Sequence, residues 1–143
     1  MEFNPNNPII RLCMQGMAME EGDKHEEAGA LFNKAWNEST NDFEKFTSAH
    51  YVARHQETVA EKLKWDETAL QLALNINDET MKASYPSLYL NIAKCYEDLE
   101  DKPNALKHYQ LANSFAGLLP DDGYGKMIKS GIANGLKRVR QLS

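Results

Sequence analysis

The chain has 143 residues, 42% hydrophobic and 26% charged, with 16 Lys and Arg against 21 Asp and Glu and a net charge of −5. That length holds one ordinary domain with a real core, and the composition excludes wholesale disorder. The acidic balance argues against a sequence-independent grip on nucleic acid, which needs surplus Lys and Arg to displace phosphate counterions, though it leaves room for local basic surface.

The opening stretch MEFNPNNPII carries no basic leader segment, no apolar run and no small-residue cleavage site, and no later run is long enough to span a bilayer. A cytoplasmic protein with no membrane partner is expected. Cys13 and Cys95 lie far apart inside helical patterns, with no C-x-x-C pair, and read as reduced, half-buried thiols.

Taken in order, Met1 to Asn7 is a polar lead-in, and Pro8 opens a first helix to about Glu21 because its missing N–H falls where no intrahelical partner exists. Leu12, Gly16 and Met19 mark its buried face, and Gly22-Asp23 reverses the chain. A second helix covers about Lys24 to Asn37 with Ala28, Phe32 and Ala35 inward. Asn41 caps a third, with Glu44 reaching back, and the helix runs through Phe43, Phe46, Ala49 and Ala53. Thr58-Val59-Ala60-Glu61 is a capping box that starts a fourth helix, continuing to Asn77. Leu63, Leu70, Ala73 and Leu74 make one apolar stripe on it and Trp65, Ala69, Leu72 and Ile76 another, which predicts burial on two sides. Trp36 and Trp65 read as packing residues.

After Asn77-Asp78 a fifth helix is expected up to about Leu99, with a kink or restart at Ser84-Tyr85-Pro86, since an interior proline removes a hydrogen bond and pushes the preceding turn away. Tyr89, Ile92, Ala93 and Tyr96 follow the spacing of one helical face. Glu100 to Pro103 break it, with Asp101 or Lys102 taking the turn conformation, and a sixth helix covers about Pro103 to Ala116 with Ala105, Tyr109 and Ala112 inward. A seventh starts near Asp121 or Asp122 and carries the stripe Tyr124, Ile128, Ile132, Leu136 and Val139. Gly131 and Gly135 let a neighbouring helix come close, and Lys137, Arg138 and Arg140 complement the negative helix C-terminus.

The order Tyr89-x2-Ile92-Ala93-x2-Tyr96, then Ala105-x3-Tyr109, resembles the tetratricopeptide repeat, W-x2-L-G-x2-Y, A-x3-F, P, with Gly117 where the repeat closes on Pro. Gly16, Met19, Ala28, Phe32 and Ala35 resemble it too, with Gln15 and Thr40 in place of its Leu and Pro. Gly16 and Ala93, Ala28 and Ala105, Phe32 and Tyr109, and Ala35 and Ala112 are each 77 residues apart. That is about nine more than two ordinary units, so the middle unit is lengthened. The segments HYVARHQ, YPSLYLN and LPDDGYG are further similar to small stand-alone bacterial proteins of this kind. The resemblance implies an all-α fold of antiparallel helical hairpins stacked as a right-handed superhelix. A single domain over 1–143 would hold repeat 1 at 8–40, a divergent, lengthened repeat 2 at 41–77, repeat 3 at 78–117 and a capping helix at 120–142.

For function, the resemblance implies a non-enzymatic module whose concave groove takes a peptide or protein segment. Carried over position by position, the groove set is Met14 and Met17 beside Ile10 and Cys13, then His50, Tyr51 and Arg54 beside Glu57, then Asn91 and Lys94 beside Leu90, Glu97 and Asp98. The planar donor fork of Arg54 suits a carboxylate or phosphate, with Asn91 and Lys94 assisting. This register holds if Ala53 takes the tight small-residue position. If Arg54 takes it, His50 is a satisfied core residue, and a structural Arg54 would pair with Glu57 or Glu97. The peptide-carboxylate clamp of some family members sets Lys, Asn and Arg on successive first helices. Asn91 matches one such position, whereas the first repeat supplies Cys13 and Met17. The alternative is a small-molecule or anion-binding sensor, or a minor hydrolase, using a pocket of His50, Arg54 and Tyr85.

No G-x-S-x-G, P-loop or dinucleotide fingerprint occurs, so no catalytic residue and no cofactor are expected. His50 and His55 are five apart, off the i, i+4 spacing by which two imidazoles share a metal, and no metal site is expected. The expected partner is a protein or peptide, not nucleic acid, and a homodimer is left open.

Overall fold

Five of the helices, all but α2 (His25–Glu38) and α5 (Tyr85–Asp98), start where a side chain takes up orphaned N–H groups of the first turn. The computed structural model describes residues 4–141, so the first three residues of the lead-in and the end of the expected last helix at 142 lie outside the described residues. Helix α1 (Pro8–Glu21) begins on Asn7, whose Oδ1 accepts from the N–H groups of Ile9 and Ile10 at 2.8 and 3.1 Å, with Pro8 in the first turn. α2 (His25–Glu38) lacks a side-chain cap but sets Glu26 and Glu27 against the positive end of its dipole. α3 (Asp42–Ala53) starts on Asn41 and α4 (Val59–Asn75) on Thr58, each accepting from the N–H three residues on. Glu44 does reach back, but to the N–H and hydroxyl of Thr40 at 2.8 and 3.0 Å rather than to the cap residue itself.

The expected interruption at Pro86 is a restart. A 3-10 segment (Glu79–Ser84) leads directly into α5 (Tyr85–Asp98), which places Pro86 in the first turn, where its missing N–H costs nothing. α6 (Lys102–Ser114) is capped by Asp101, and α7 (Gly123–Gln141) starts after Asp122, whose Oδ1 accepts from the Gly125 N–H at 2.8 Å. No strand occurs among the described residues, and the protein is all-α.

α1 and α5 end alike. Asp23 and Glu100 sit at φ 60 and 63°, left-handed. The next N–H reaches back to the third-last helical carbonyl, Lys24 to Met19 at 2.8 Å and Asp101 to Tyr96 at 2.9 Å. The turn conformation expected at Asp101 or Lys102 therefore belongs to Glu100, because Asp101 is needed as the cap of α6.

The chain divides into two compact units, up to Asn77 and from Asp78. In the first, α1 packs on α2 and α3, α2 on α3, and α3 on α4. Its core gathers Ile9, Cys13, Ala28, Phe32, Ala35, Tyr51 and Val52, and Trp36 and Trp65 meet edge to face at 5.0 Å. Gly16 is where the α1–α2 hairpin closes: a Cβ there would stand 2.3 Å from the Phe32 ring. α4 is narrower than its two stripes predict. Only Asp66, Ala69, Leu70 and Ala73 are buried, Leu63, Trp65, Leu72 and Ile76 are half-buried, and Leu74 is exposed.

In the second unit α5 packs on α6 and α7, and α6 on α7. Ala93, Ala105, Tyr109 and Ala112 make one side of its core, and Ile128, Ile132, Leu136 and Val139 of α7 the other. Tyr124, first in the expected stripe, is exposed instead.

Candidate functional site

α1 and α3 run side by side in the same direction, tied at both ends. At their N-terminal ends Asn7 Nδ2 donates to Glu44 Oε2 at 3.0 Å. Burial raises the Glu44 pKa, but the hydrogen bonds from Thr40, Asn7 and Asn41 outweigh it and hold the carboxyl below its ordinary value. At their C-terminal ends the Glu20 carboxylate accepts Arg54 Nη1 on one oxygen at 2.9 Å and meets His55 Nε2 on the other at 2.8 Å.

Arg54 is the C-cap of α3, which ends at Ala53. Its acid is not Glu57 or Glu97, because the parallel course of α1 and α3 brings the last turn of α1 to it. Its guanidinium lies 4.8 Å above the Tyr51 ring, which stacks at 5.1 Å on Phe32. A pile of Phe32, Tyr51 and Arg54 thus rises from core to surface, with the arginine side chain still 45% exposed.

Along α1, Met17 lies one turn before Glu20 and Met14 one turn before that, 38% and 49% exposed, whereas Ile10 and Cys13 are buried. Burial raises the Cys13 thiol pKa to about 12, so it is a packing group and not a nucleophile. Ala53 is buried and Arg54 exposed. His50, one turn before Arg54, is mostly buried, and its Nδ1 has no hydrogen-bond partner among the described residues. Burial, then the nearby charges of Arg54 and Lys62, lower its pKa to about 4 and keep the ring neutral.

In the second unit, Tyr85 is buried edge-on against Phe115 at 5.2 Å. Asn91 is half-buried, and Lys94, one turn on, is exposed and paired to Asp98. Glu97 accepts Arg138 of α7 through two bonds, Nε at 2.8 Å and Nη2 at 3.1 Å, and the Tyr109 hydroxyl at 2.6 Å. The Arg138 bond is the main reason its carboxyl lies below the ordinary range, while burial, then Glu97, push the Tyr109 phenol up.

The structure thus brings Met14, Met17, His50, Tyr51 and Arg54 to one end-tied pair of helices, with Tyr51 as a buried support. Asn91 and Lys94 share α5 of the other unit, and Tyr85 belongs to its core. Glu20 is not among the residues expected in the groove, although its distance of 77 residues from Glu97, the repeat displacement itself, marks it; His55 is expected only to be at the wrong spacing for a metal, and no signal in the sequence points to its place beside Glu20. Among the described residues no group of three His, Cys, Asp or Glu could hold a metal ion, and no helix is long and apolar enough to cross a membrane. No family model, curated protein or solved structure matches the chain.

Proposed function

We propose that this chain is a tetratricopeptide-like, cytoplasmic interaction module with no catalytic role, which binds a peptide or protein segment along the α1–α3 face of its first unit. Stacking of its hairpins as a right-handed superhelix belongs to the same proposal. One observation supports it above the others: two helices pinned at both ends leave two methionines and a half-open guanidinium exposed in a row. Thioether side chains adapt to varied apolar partners, and an arginine with donors left over can add a partner carboxylate to the one it already holds. His50, neutral beside it, shapes the face without charging it. On α5, Asn91 and Lys94 offer the corresponding polar positions of the second unit.

Capture from native lysate with immobilised protein tests this reading, comparing wild type with Met17→Glu. Position 17 is exposed, so the variant should melt with the wild type and recover none of the proteins that the wild type holds. Arg54→Ala should weaken the same complex by about 1.5–3 kcal/mol, the range of a charge-assisted hydrogen bond. Equal recovery by wild type and Met17→Glu would remove the α1–α3 face from consideration.

A further inference from the structure

The charges of α7 are one-sided. The helix carries Lys126, Lys129, Lys137, Arg138 and Arg140 and no acid, which leaves eleven cations against 21 acids, a net −10, for the rest of the chain. Arg138 is engaged by Glu97. Lys126, Lys129, Lys137 and Arg140, with Ala133 between them, fall at steps of three and four residues, so they form a single row on one helical face. At 1.5 Å per residue the row is about 21 Å long. All five residues are exposed, and none of the three lysines has a side-chain partner among the described residues. At the C-terminal end of the row, Ala133, Leu136, Lys137, Arg140 and Gln141 form, with Asn113 of α6, an open cleft of about 480 Å³, in which Leu136 is the buried apolar side chain and Lys137 and Arg140 are exposed.

We propose that this α6–α7 cleft docks an acidic segment of a partner protein, with carboxylates spaced along one side and an apolar side chain seated on Ala133 and Leu136. Charge complementarity picks the sign of the occupant, and the apolar Leu136 picks its class. A helix laid in a groove presents residues at the same three-and-four spacing as the lysine row, so an amphipathic acidic helix matches it along its length. Nucleic acid fits less well, because a single strand can meet the cationic row with its phosphates but has no apolar side chain to seat on Leu136. The inference does not rest on the α1–α3 face, which uses residues of the other unit.

Fluorescence anisotropy with a fluorescein-labelled fourteen-residue peptide, Glu at three-and-four spacing on one side and Leu on the other, tests it on the full chain. A single-stranded DNA of equal charge forms the second arm. Wild type should bind the peptide more tightly than the DNA and lose affinity as salt rises. The exposed-site triple variant Lys126→Gln/Lys129→Gln/Lys137→Gln should bind the peptide about tenfold more weakly. Lys34→Gln/Lys64→Gln, equally exposed in the first unit, should bind it as wild type does. Equal peptide affinity for the triple variant and wild type, no binding of the peptide at low salt, or tighter binding of the DNA would each overturn the proposal.

Discussion

Glu20 and Glu97 stand 77 residues apart and each receives an arginine from the helix two further along, Arg54 on α3 and Arg138 on α7, at 2.9 and 2.8 Å. Each carboxylate closes the C-terminal end of a parallel helix pair, and each has a further partner, His55 for Glu20 and Tyr109 for Glu97. The networks differ in depth. Both arginines are 45% exposed, but Tyr109 is fully buried whereas the His55 side chain is 17% exposed.

That difference orders three substitutions. Glu97→Ala should cost about 1.5–3 kcal/mol, since it removes the carboxylate that the buried Tyr109 hydroxyl and Arg138 share. Glu20→Ala should cost less, about 1–2 kcal/mol, and Arg54→Ala least, about 1 kcal/mol or below, because His55 still holds Glu20 and half-exposed pairs are screened. Urea denaturation of the three variants reads the order. A larger loss for Arg54→Ala than for Glu97→Ala would mean that the ion pairs carry more than the buried hydroxyl.

Gly131 and Gly135 of α7 should respond in opposite directions. A Cβ on Gly135 would lie 2.2 Å from Tyr109 Cε1, and that ring is buried and held by its hydroxyl, so Gly135→Ala should cost about 1–3 kcal/mol by overpacking. A Cβ on Gly131 would lie 3.1 Å from the end of the half-buried Leu90, which has room to yield. There the gain in helix propensity, about 1 kcal/mol, should leave Gly131→Ala as stable as wild type or more so. Thermal melts of both variants decide it.

His50 predicts an acid sensitivity above the range where carboxylates titrate. Its pKa is about 4 in the fold against an ordinary 6.5, so as pH falls between these values the unfolded chain takes up a proton that the folded chain refuses. Stability from this group is complete above about 6.5, declines as pH drops, and levels off below about 4. Between pH 7 and 5 the loss should approach about 2 kcal/mol. His50→Gln should remove that share of the slope in urea unfolding measured at the two pH values. Equal slopes for wild type and variant would show that the ring titrates normally.

Truncation after Leu119 should unfold or aggregate the second unit. It removes Ile128, Ile132, Leu136 and Val139 and uncovers Tyr109, Ala93 and Ala112, a contiguous apolar face that water does not tolerate on a small unit. The shortened chain should bind a hydrophobic dye and lose its cooperative transition, whereas retention of both the wild-type melt and a low dye signal would show α7 to be dispensable.

Much of the fold was legible before any coordinate because its signals are local. Pro8, Asn41 and Glu44, Thr58 and Glu61, and the restart at Pro86 act within a few residues of themselves, and helices begin at these signals. Periodicity likewise identified the inward faces of α2, α6 and most of α7. What tertiary structure alone decided is which side chains meet across helices. Arg54 has several acids within reach in sequence, and only the parallel course of α1 and α3 selects Glu20. Tyr124 and Leu74 obey the apolar period yet stay exposed, since a period says which residues share a face and not how far the neighbouring helix extends over it. The left-handed residue of the second hairpin fell on Glu100 and not Asp101 for the same kind of reason: the turn needs one residue at positive φ and the next helix needs a cap, and Asp101 can serve only as the cap.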